Sequence, residues 1–95
     1  MHIWLDPQNA IAIVKAVQVA LSASDPHHAE AYKANAKQTI SKLQQLIPAV
    51  KKDLANARGR SFVVFHDAYS YFEHRFDLHA AAAIAVHPET PPGAK

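Results

Sequence analysis

A short apolar run that ends in a histidine is the feature that most constrains the fold of this chain. Residues Phe62 to Phe65 are apolar without a polar break, and His66 and Asp67 follow directly. Such a run suits a strand covered on both faces, as in a parallel sheet, better than a strand with one face in water. Asp67 is a good N-cap residue, so we predict a helix over Ala68–Phe76. His66 is therefore expected at the carboxyl end of a buried strand, where ligands collect in open α/β sheets.

Two Asp-Pro pairs predict the starts of two further helices, because Asp is a favoured N-cap and Pro a favoured first helical residue. The first helix begins after Asp6 and ends near Ser24. The second begins after Asp25 and runs to about Gly59, and Pro48 inside it predicts a kink or a break. The short connection favours an antiparallel hairpin of the two. The apolar residues of the long helix recur at steps of three and four: Ala29, Tyr32, Ala36, Ile40, Leu43, Ile47, Val50, Leu54 and Ala57.

The alanine-rich stretch over residues 80–86 fits either a helix or a strand. Alanine has the highest helix propensity of all residues, which favours a helix. Its position after a helix stop and before a proline-rich tail favours a strand, which is our prediction. The fold class is thus predicted as α/β: a helical hairpin with one long helix, followed by a short strand-helix-strand unit.

Composition excludes several classes of function. With 95 residues the chain is long enough for one small domain only. The net charge of +2 comes from scattered cations without a basic patch, which argues against nucleic-acid binding. There is no cysteine, so disulfides and thiolate metal sites are excluded. No apolar run approaches the roughly 18 residues that span a bilayer, and the first five residues lack the features of a signal peptide.

Three stretches together resemble one protein family. Residues 2–10 resemble a His-x-Trp-Leu-Asp-Pro-x-Asn-Ala motif, and residues 65–72 resemble a Phe-His-Asp-Ala-Tyr-x-Tyr-Phe motif. Residues 87–94 resemble an Asn-Pro-Glu-x-x-Pro-Gly-Ala motif, with His87 in place of the Asn. With these motifs the whole chain is similar to the zinc- and manganese-binding substrate-binding proteins of bacterial ABC transporters.

The resemblance implies a two-lobe α/β protein, longer than this chain, with the metal in the cleft between the lobes. Residues 1–25 would form the end of the first lobe, residues 26–59 the helix that connects the lobes, and residues 60–95 the start of the second lobe. The implied function is capture of Zn²⁺, or alternatively Mn²⁺, for a membrane permease, without catalysis. The intact protein would be periplasmic or extracellular and attached to the membrane.

The resemblance also implies roles for individual residues. His2 and His66 match two histidine ligands of the family, whereas a further histidine and a carboxylate ligand have no counterpart in this chain. Asp77 stands where the family often has Gly, which suggests a left-handed backbone there. We interpret His87 as a polar residue beside the site rather than a ligand. The other histidines are interpreted as surface residues: His27, His28, His74 and His79.

Two alternatives remain open. A metal-dependent hydrolase would use His2 and His66 as ligands and Asp67 or Glu73 as general base, although no His-Glu-x-x-His cluster is present. A helical self-association module would use the apolar stripe of the long helix without metal.

The metal-capture hypothesis makes three predictions. Metal binding is weak, because two ligands leave most coordination positions to water. The chain self-associates, because the strand over Phe62–Phe65 lacks sheet neighbours. The Cα atoms of His2 and His66 lie within roughly 13 Å of each other, because the lengths of the intervening helices and strand nearly cancel.

Overall fold

The computed structural model describes residues 2–85, which form a helical hairpin followed by a β-α-β unit. The predicted fold class is confirmed. Single 3-10 turns at Ile3–Leu5 and Pro26–His28 precede the two long helices. The five main elements are α1 (Pro7–Ser24), α2 (Ala29–Asp53), β1 (Phe62–His66), α3 (Ser70–Phe76) and β2 (Ala80–Ala85).

The two Asp-Pro pairs start their helices in different ways. Asp6 caps α1 as predicted, since its Oδ1 accepts a hydrogen bond from the Gln8 N–H at 2.9 Å. The side chain of Asp25 makes no cap. Its Oδ2 instead accepts a hydrogen bond from the Tyr32 hydroxyl at 2.8 Å and lies 2.7 Å from Nδ1 of His28. The Asp25 carboxylate thus binds side chains rather than a backbone N–H, and the chain enters α2 through a 3-10 turn.

The apolar stripe of the long helix is confirmed, but the end of the helix is not. Every residue of the stripe is half-buried, and α1 packs against α2. Of the kink or break predicted at Pro48, the break is wrong, because α2 is continuous through that residue to Asp53, and the kink stays a prediction. The predicted end near Gly59 is also wrong: at Leu54 the backbone turns to ψ 1° and leaves the α-helical region. Residues 54–59 then form tight turns, such as the Ala57 N–H to Leu54 carbonyl bond at 2.9 Å.

The alanine-rich stretch is a strand, as predicted, over the part of it that the structure describes. β2 pairs with β1 in parallel, with Val64 opposite Ala83 and His66 opposite Ala85. Pairing with β1 satisfies backbone groups that a lone helix would have satisfied internally, so tertiary context overrides the helix propensity of alanine. His66 therefore stands at the carboxyl end of β1, as the sequence predicts.

The predicted start of α3 is wrong. The helix begins at Ser70 rather than Ala68, and Asp67 is not its N-cap. The Ala68 N–H instead donates to the His66 carbonyl at 2.9 Å, and this tight turn keeps the next residues out of the helix. At the other end Asp77 has φ 55° and ψ 47°, the left-handed conformation that the motif comparison suggests.

The prediction that β1 is covered on both faces is not met by the described residues. Val63 and Phe65 on β1 and Ile84 on β2 are each 59% exposed. The radius of gyration is 17.8 Å, against about 12 Å for a compact domain of this length. The smallest extent is 13 Å, so the described residues form essentially one layer of secondary structure, whereas domains bury their cores between two or more.

Within residues 2–85, no helix combines the length and the apolar character needed to cross a membrane.

Candidate metal centre

The structure brings His2 and His66 together across 64 positions of sequence. Their ring centres are 6.2 Å apart, and the ring planes meet at 65°. His2 directly precedes the 3-10 turn at Ile3–Leu5, and His66 is the last residue of β1. The two side chains therefore lie close together, as the lengths of the elements predict, while their role as ligands stays a prediction.

The separation of the two rings suits a shared metal ion after a small closure. With zinc–nitrogen bonds of about 2.1 Å and tetrahedral angles, the two ring centres would be roughly 5 Å apart. The observed 6.2 Å is therefore about 1 Å wider than the bound geometry requires. His2 is exposed and His66 is half-buried, so a metal would reach the pair from solvent.

Backbone hydrogen bonds hold His2 in a short turn ahead of α1. The Leu5 N–H donates to the His2 carbonyl at 3.1 Å, and the Asp6 N–H donates to the Ile3 carbonyl at 3.2 Å. The side-chain amide of Asn9, one turn into α1, donates to the same Ile3 carbonyl at 3.0 Å. The Trp-Leu-Asp-Pro-x-Asn part of the motif is therefore the local scaffold of His2.

An ion pair joins this scaffold to the β-α-β unit. Nε and Nη2 of Arg75, on α3, donate to the two carboxylate oxygens of Asp6 at 2.8 and 2.9 Å. Asp6 is only 6% exposed. Its carboxylate thus accepts bonds from its own helix and from α3 at once, and it connects the segment that carries His2 to the unit that carries His66.

The electrostatics of this pair favour its charged form. Burial acts to raise the pKa of the Asp6 carboxyl, but the hydrogen bonds from Arg75 and from the Gln8 N–H outweigh it, and the pKa is lowered from 3.8. The hydrogen bonds to Asp6 likewise raise the pKa of the Arg75 guanidinium. The bidentate pair is therefore ionised throughout the neutral range.

Aromatic rings flank His66. The ring centre of Tyr69 lies 6.3 Å from that of His66, and the ring centre of Phe65 lies 6.4 Å away with its plane nearly perpendicular. Together with the pairing of the His66 backbone to Ala85, these neighbours define the surroundings of the imidazole. His66 is thus placed by regular secondary structure, whereas His2 is placed by a single turn.

The two candidate general bases, Asp67 and Glu73, have other surroundings than the histidine pair. Oε1 of Glu73 accepts a hydrogen bond from the Ala80 N–H at 2.7 Å, so this carboxylate fastens the start of β2. Asp67 and Glu73 line an open groove of about 590 Å³ together with Val64, Ser70, His74, Leu78, His79, Ala80, Ala82 and Ala83. Within the described range 2–85, no three or more His, Asp or Glu side chains are grouped so that they could hold a metal ion.

The other histidines occupy surface positions. His27, His28, His74 and His79 are all exposed. His79 lies 3.5 Å from Oδ1 of Asp77, with both side chains more than 80% exposed. His87 and the motif over residues 87–94 lie outside the described residues, so the prediction for His87 is untouched by the structure.

Sequence reasoning missed Arg75 and the second role of Asp6. The sequence explains Asp6 completely as the N-cap of α1, so it gives no reason to expect a second role. Arg75 is 69 positions away, in a short helix. No periodicity or motif of a single sequence links them. The one indication available is positional: Asp6 lies within the first motif, and Arg75 follows the second motif by three residues.

A family model and the relatives found by sequence comparison agree on one family. The family model described as zinc-uptake complex component A, periplasmic, matches residues 1–95. The high-affinity zinc uptake system protein ZnuA of Brucella abortus (strain 2308) is 46% identical over 94 residues, which are 99% of this chain and 28% of that protein. The zinc-binding protein AdcA of Streptococcus pyogenes serotype M1 is 35% identical over 94 residues, 99% of this chain and 18% of that protein.

Solved structures agree with the sequence comparisons. Zn(II)-bound AdcA from Streptococcus pneumoniae superposes with a TM-score of 0.77 at 36% identity, over 92% of this chain and 19% of that chain. A crystal structure of ZnuA superposes with a TM-score of 0.80 at 27% identity, over 85% of this chain and 32% of that one. The 95 residues therefore span 28% of the ZnuA protein and 18% of the AdcA protein to which they are similar in sequence.

Proposed function

This chain belongs to the family of the zinc-uptake complex component A, and from that membership we propose that it supplies the His2 and His66 ligands of a zinc-capture site. The function proposed for the intact protein is high-affinity capture of Zn²⁺ and its delivery to an ABC permease. Residues 1–25 would belong to the first lobe, residues 26–59 would connect the lobes, and residues 60–95 would begin the second lobe.

The observation that carries this proposal is the 6.2 Å separation of the two imidazole rings. The fold brings the two side chains, 64 positions apart in sequence, to one solvent-accessible place. Neutral imidazoles are favoured ligands of zinc, and two of them at this separation can bind one metal ion after a small closure. With two ligands in this chain, the remaining positions would be filled by water or by groups of the intact protein.

We propose Zn²⁺ as the metal and keep Mn²⁺ as the alternative. The names of the relatives refer to zinc. The chemistry of the donors points the same way, since two imidazoles suit zinc and a manganese site favours oxygen ligands.

No reaction is proposed for this site. A hydrolase would need a general base near the metal, and the carboxylate of Glu73 is engaged by the Ala80 N–H at 2.7 Å. The other candidate base, Asp67, is exposed and lines the groove beside α3 with Glu73.

The partner and location proposed for the intact protein follow from the family. The family description places its members in the periplasm. We propose a periplasmic or extracellular protein, attached to the membrane, that meets its permease there.

Self-association is proposed for the 95-residue chain alone. Val63, Phe65 and Ile84 form an exposed apolar face of the sheet, and the described residues are only 13 Å thick at the narrowest. A second copy that covers this face would remove the exposed apolar surface from water.

Calorimetric titration with Zn²⁺ at neutral pH tests the function. We expect micromolar or weaker binding by the parent chain, because closed zinc sites use four protein ligands and this chain offers two. His66→Ala and His2→Ala should each remove most of the binding. His79→Ala is the matched control, since it also deletes an exposed imidazole of the β-α-β unit, and it should bind as the parent does. Parent-like binding by His66→Ala would end the assignment of that residue.

A further inference from the structure

We infer that the Asp6–Arg75 ion pair is a positioning device that sets the distance between His2 and His66 and thereby the affinity of the site for metal. The inference rests on the proposed function, since it concerns the same two histidines. Neither residue is proposed as a ligand.

The pair is the salt bridge that joins distant segments in the described part of the chain. Its two residues are 69 positions apart. The other ion pairs within residues 2–85 link residues two or three positions apart along the chain and do not connect separate elements of the fold. The Asp6–Arg75 pair thus ties the start of α1 to α3, where the 3-10 turn at Ile3–Leu5 also contacts α3.

Each partner is rigidly connected to one histidine. Asp6 follows His2 by four residues, through the hydrogen-bonded turn whose first acceptor is the His2 carbonyl. Arg75 lies on α3, which is joined to His66 by three residues and whose C-terminal Phe76 is only 2% exposed. A displacement of Asp6 relative to Arg75 would therefore move one imidazole relative to the other.

The geometry of the pair fixes orientation as well as distance. Two parallel N–H···O bonds of 2.8 and 2.9 Å join a planar guanidinium to a planar carboxylate. Asp6 is 6% exposed, so water does not easily replace the guanidinium. A lysine would keep the charge but not the fork, and would hold the two segments less firmly.

The consequence for metal binding is a matter of preorganisation. His2 is exposed and stands on a single turn, so without the ion pair it would be free to move away from His66. Zinc would then meet one imidazole at a time rather than two. Groups hydrogen-bonded directly to metal ligands typically change metal affinity by 10- to 100-fold. This pair acts through the turn and α3 on the separation of the two ligands, and we expect about a tenfold loss, the lower end of that range.

The test follows the imidazole NMR signals of His2 and His66 during titration of the 95-residue chain with Zn²⁺. In the parent, both signals should move together along one binding curve. In Arg75→Gln the two curves should separate, and half-saturation should need about tenfold more zinc. Arg58→Gln is the matched control, because it removes the same charge from the exposed turn before β1, and it should behave as the parent does. A purely structural role would change stability but would leave the two curves coincident.

The outcomes separate the two proposals. If the parent shows movement of neither ring, or of one only, the proposed function fails. If both rings move together in the parent and do so at the same zinc concentration in Arg75→Gln, the positioning inference fails and the proposed function stands. If Arg75→Gln loses the helical circular dichroism of the parent, Arg75→Lys decides: severalfold weaker zinc binding supports the inference, and parent-like binding overturns it.

Discussion

Replacement of Asp77 by glycine should stabilise the chain. Asp77 is the C-cap of α3 and has φ 55°, a conformation that costs residues with a Cβ roughly 1–2 kcal/mol, with Asp at the lower end. The backbone bond of the cap, from the Asp77 N–H to the Glu73 carbonyl, does not depend on the side chain. The contact of Asp77 with His79 at 3.5 Å is between two exposed side chains and contributes little.

The magnitude follows from two opposing effects. Glycine removes the left-handed penalty but adds about 0.5–1 kcal/mol of backbone entropy to the unfolded chain. With about 1 kcal/mol for Asp, the net gain expected for Asp77→Gly is about 0–0.5 kcal/mol. With a urea m-value of about 1–2 kcal/mol/M, the midpoint of unfolding should rise by up to about 0.5 M.

Urea unfolding followed by circular dichroism is the assay, and Asp77→Ala is the control. Alanine removes the same charge as glycine but keeps the Cβ, so the predicted order of midpoints is Gly above Asp above Ala. If Ala and Gly give the same midpoint, the effect comes from the charge of Asp77 and the reasoning from the backbone is refuted.

Three further predictions concern the ion pair, the long helix and the sheet. Because the pKa of Asp6 is lowered on folding, its contribution to stability is fully present above pH 3.8 and is lost as the pH falls through the folded-state pKa. Between pH 6 and pH 2 the urea midpoint should therefore fall more for the parent than for Asp6→Asn, and parallel curves would contradict this. Pro48→Ala should stabilise α2 by about 1–3 kcal/mol, because Pro48 is exposed and gives no backbone N–H to the helix, and an unchanged urea midpoint would show that the proline costs nothing there. Sedimentation analysis should show self-association of the parent that Phe65→Ser weakens, whereas a monomeric parent at high concentration would exclude the exposed sheet face as a contact surface.

Much of the fold follows from local signals in the sequence. The Asp6-Pro7 start, the apolar stripe of α2 and the run that forms β1 each rest on residue types whose preference is local. The proximity of His2 and His66 follows from the order and lengths of these elements, with α1 of 18 residues and α2 of 25 residues running in opposite directions. These predictions succeed because local preference and tertiary packing agree.

The errors have physical causes that a single sequence does not reveal. Asp67 has the chemistry of an N-cap, but the Ala68 N–H is already bonded to the His66 carbonyl at 2.9 Å, and the helix starts later. The side chain of Asp25 is bound to His28 and Tyr32 and makes no cap hydrogen bond.

The contact that matters most to the candidate site is also the least predictable. Asp6 and Arg75 meet because α3 folds back onto the start of α1, and nothing in the residues near either one signals this. Similarly, the exposure of Val63 and Phe65 could not be read from the apolar run, which predicts burial on both faces. An apolar run reports the environment for which a strand is suited, and the partners that provide this environment need not lie within the same 95 residues.

X-ray absorption of the zinc-loaded chain tests the central claim most directly, because it counts the imidazoles bound to the metal. At less than one equivalent of Zn²⁺, we predict two imidazole nitrogens at about 2.0–2.1 Å, with the other positions filled by oxygen. His66→Ala should reduce the count to one, and His79→Ala should leave it at two. An imidazole count that is unchanged in the double variant His2→Ala with His66→Ala would contradict the account, because the metal would then be held by other residues.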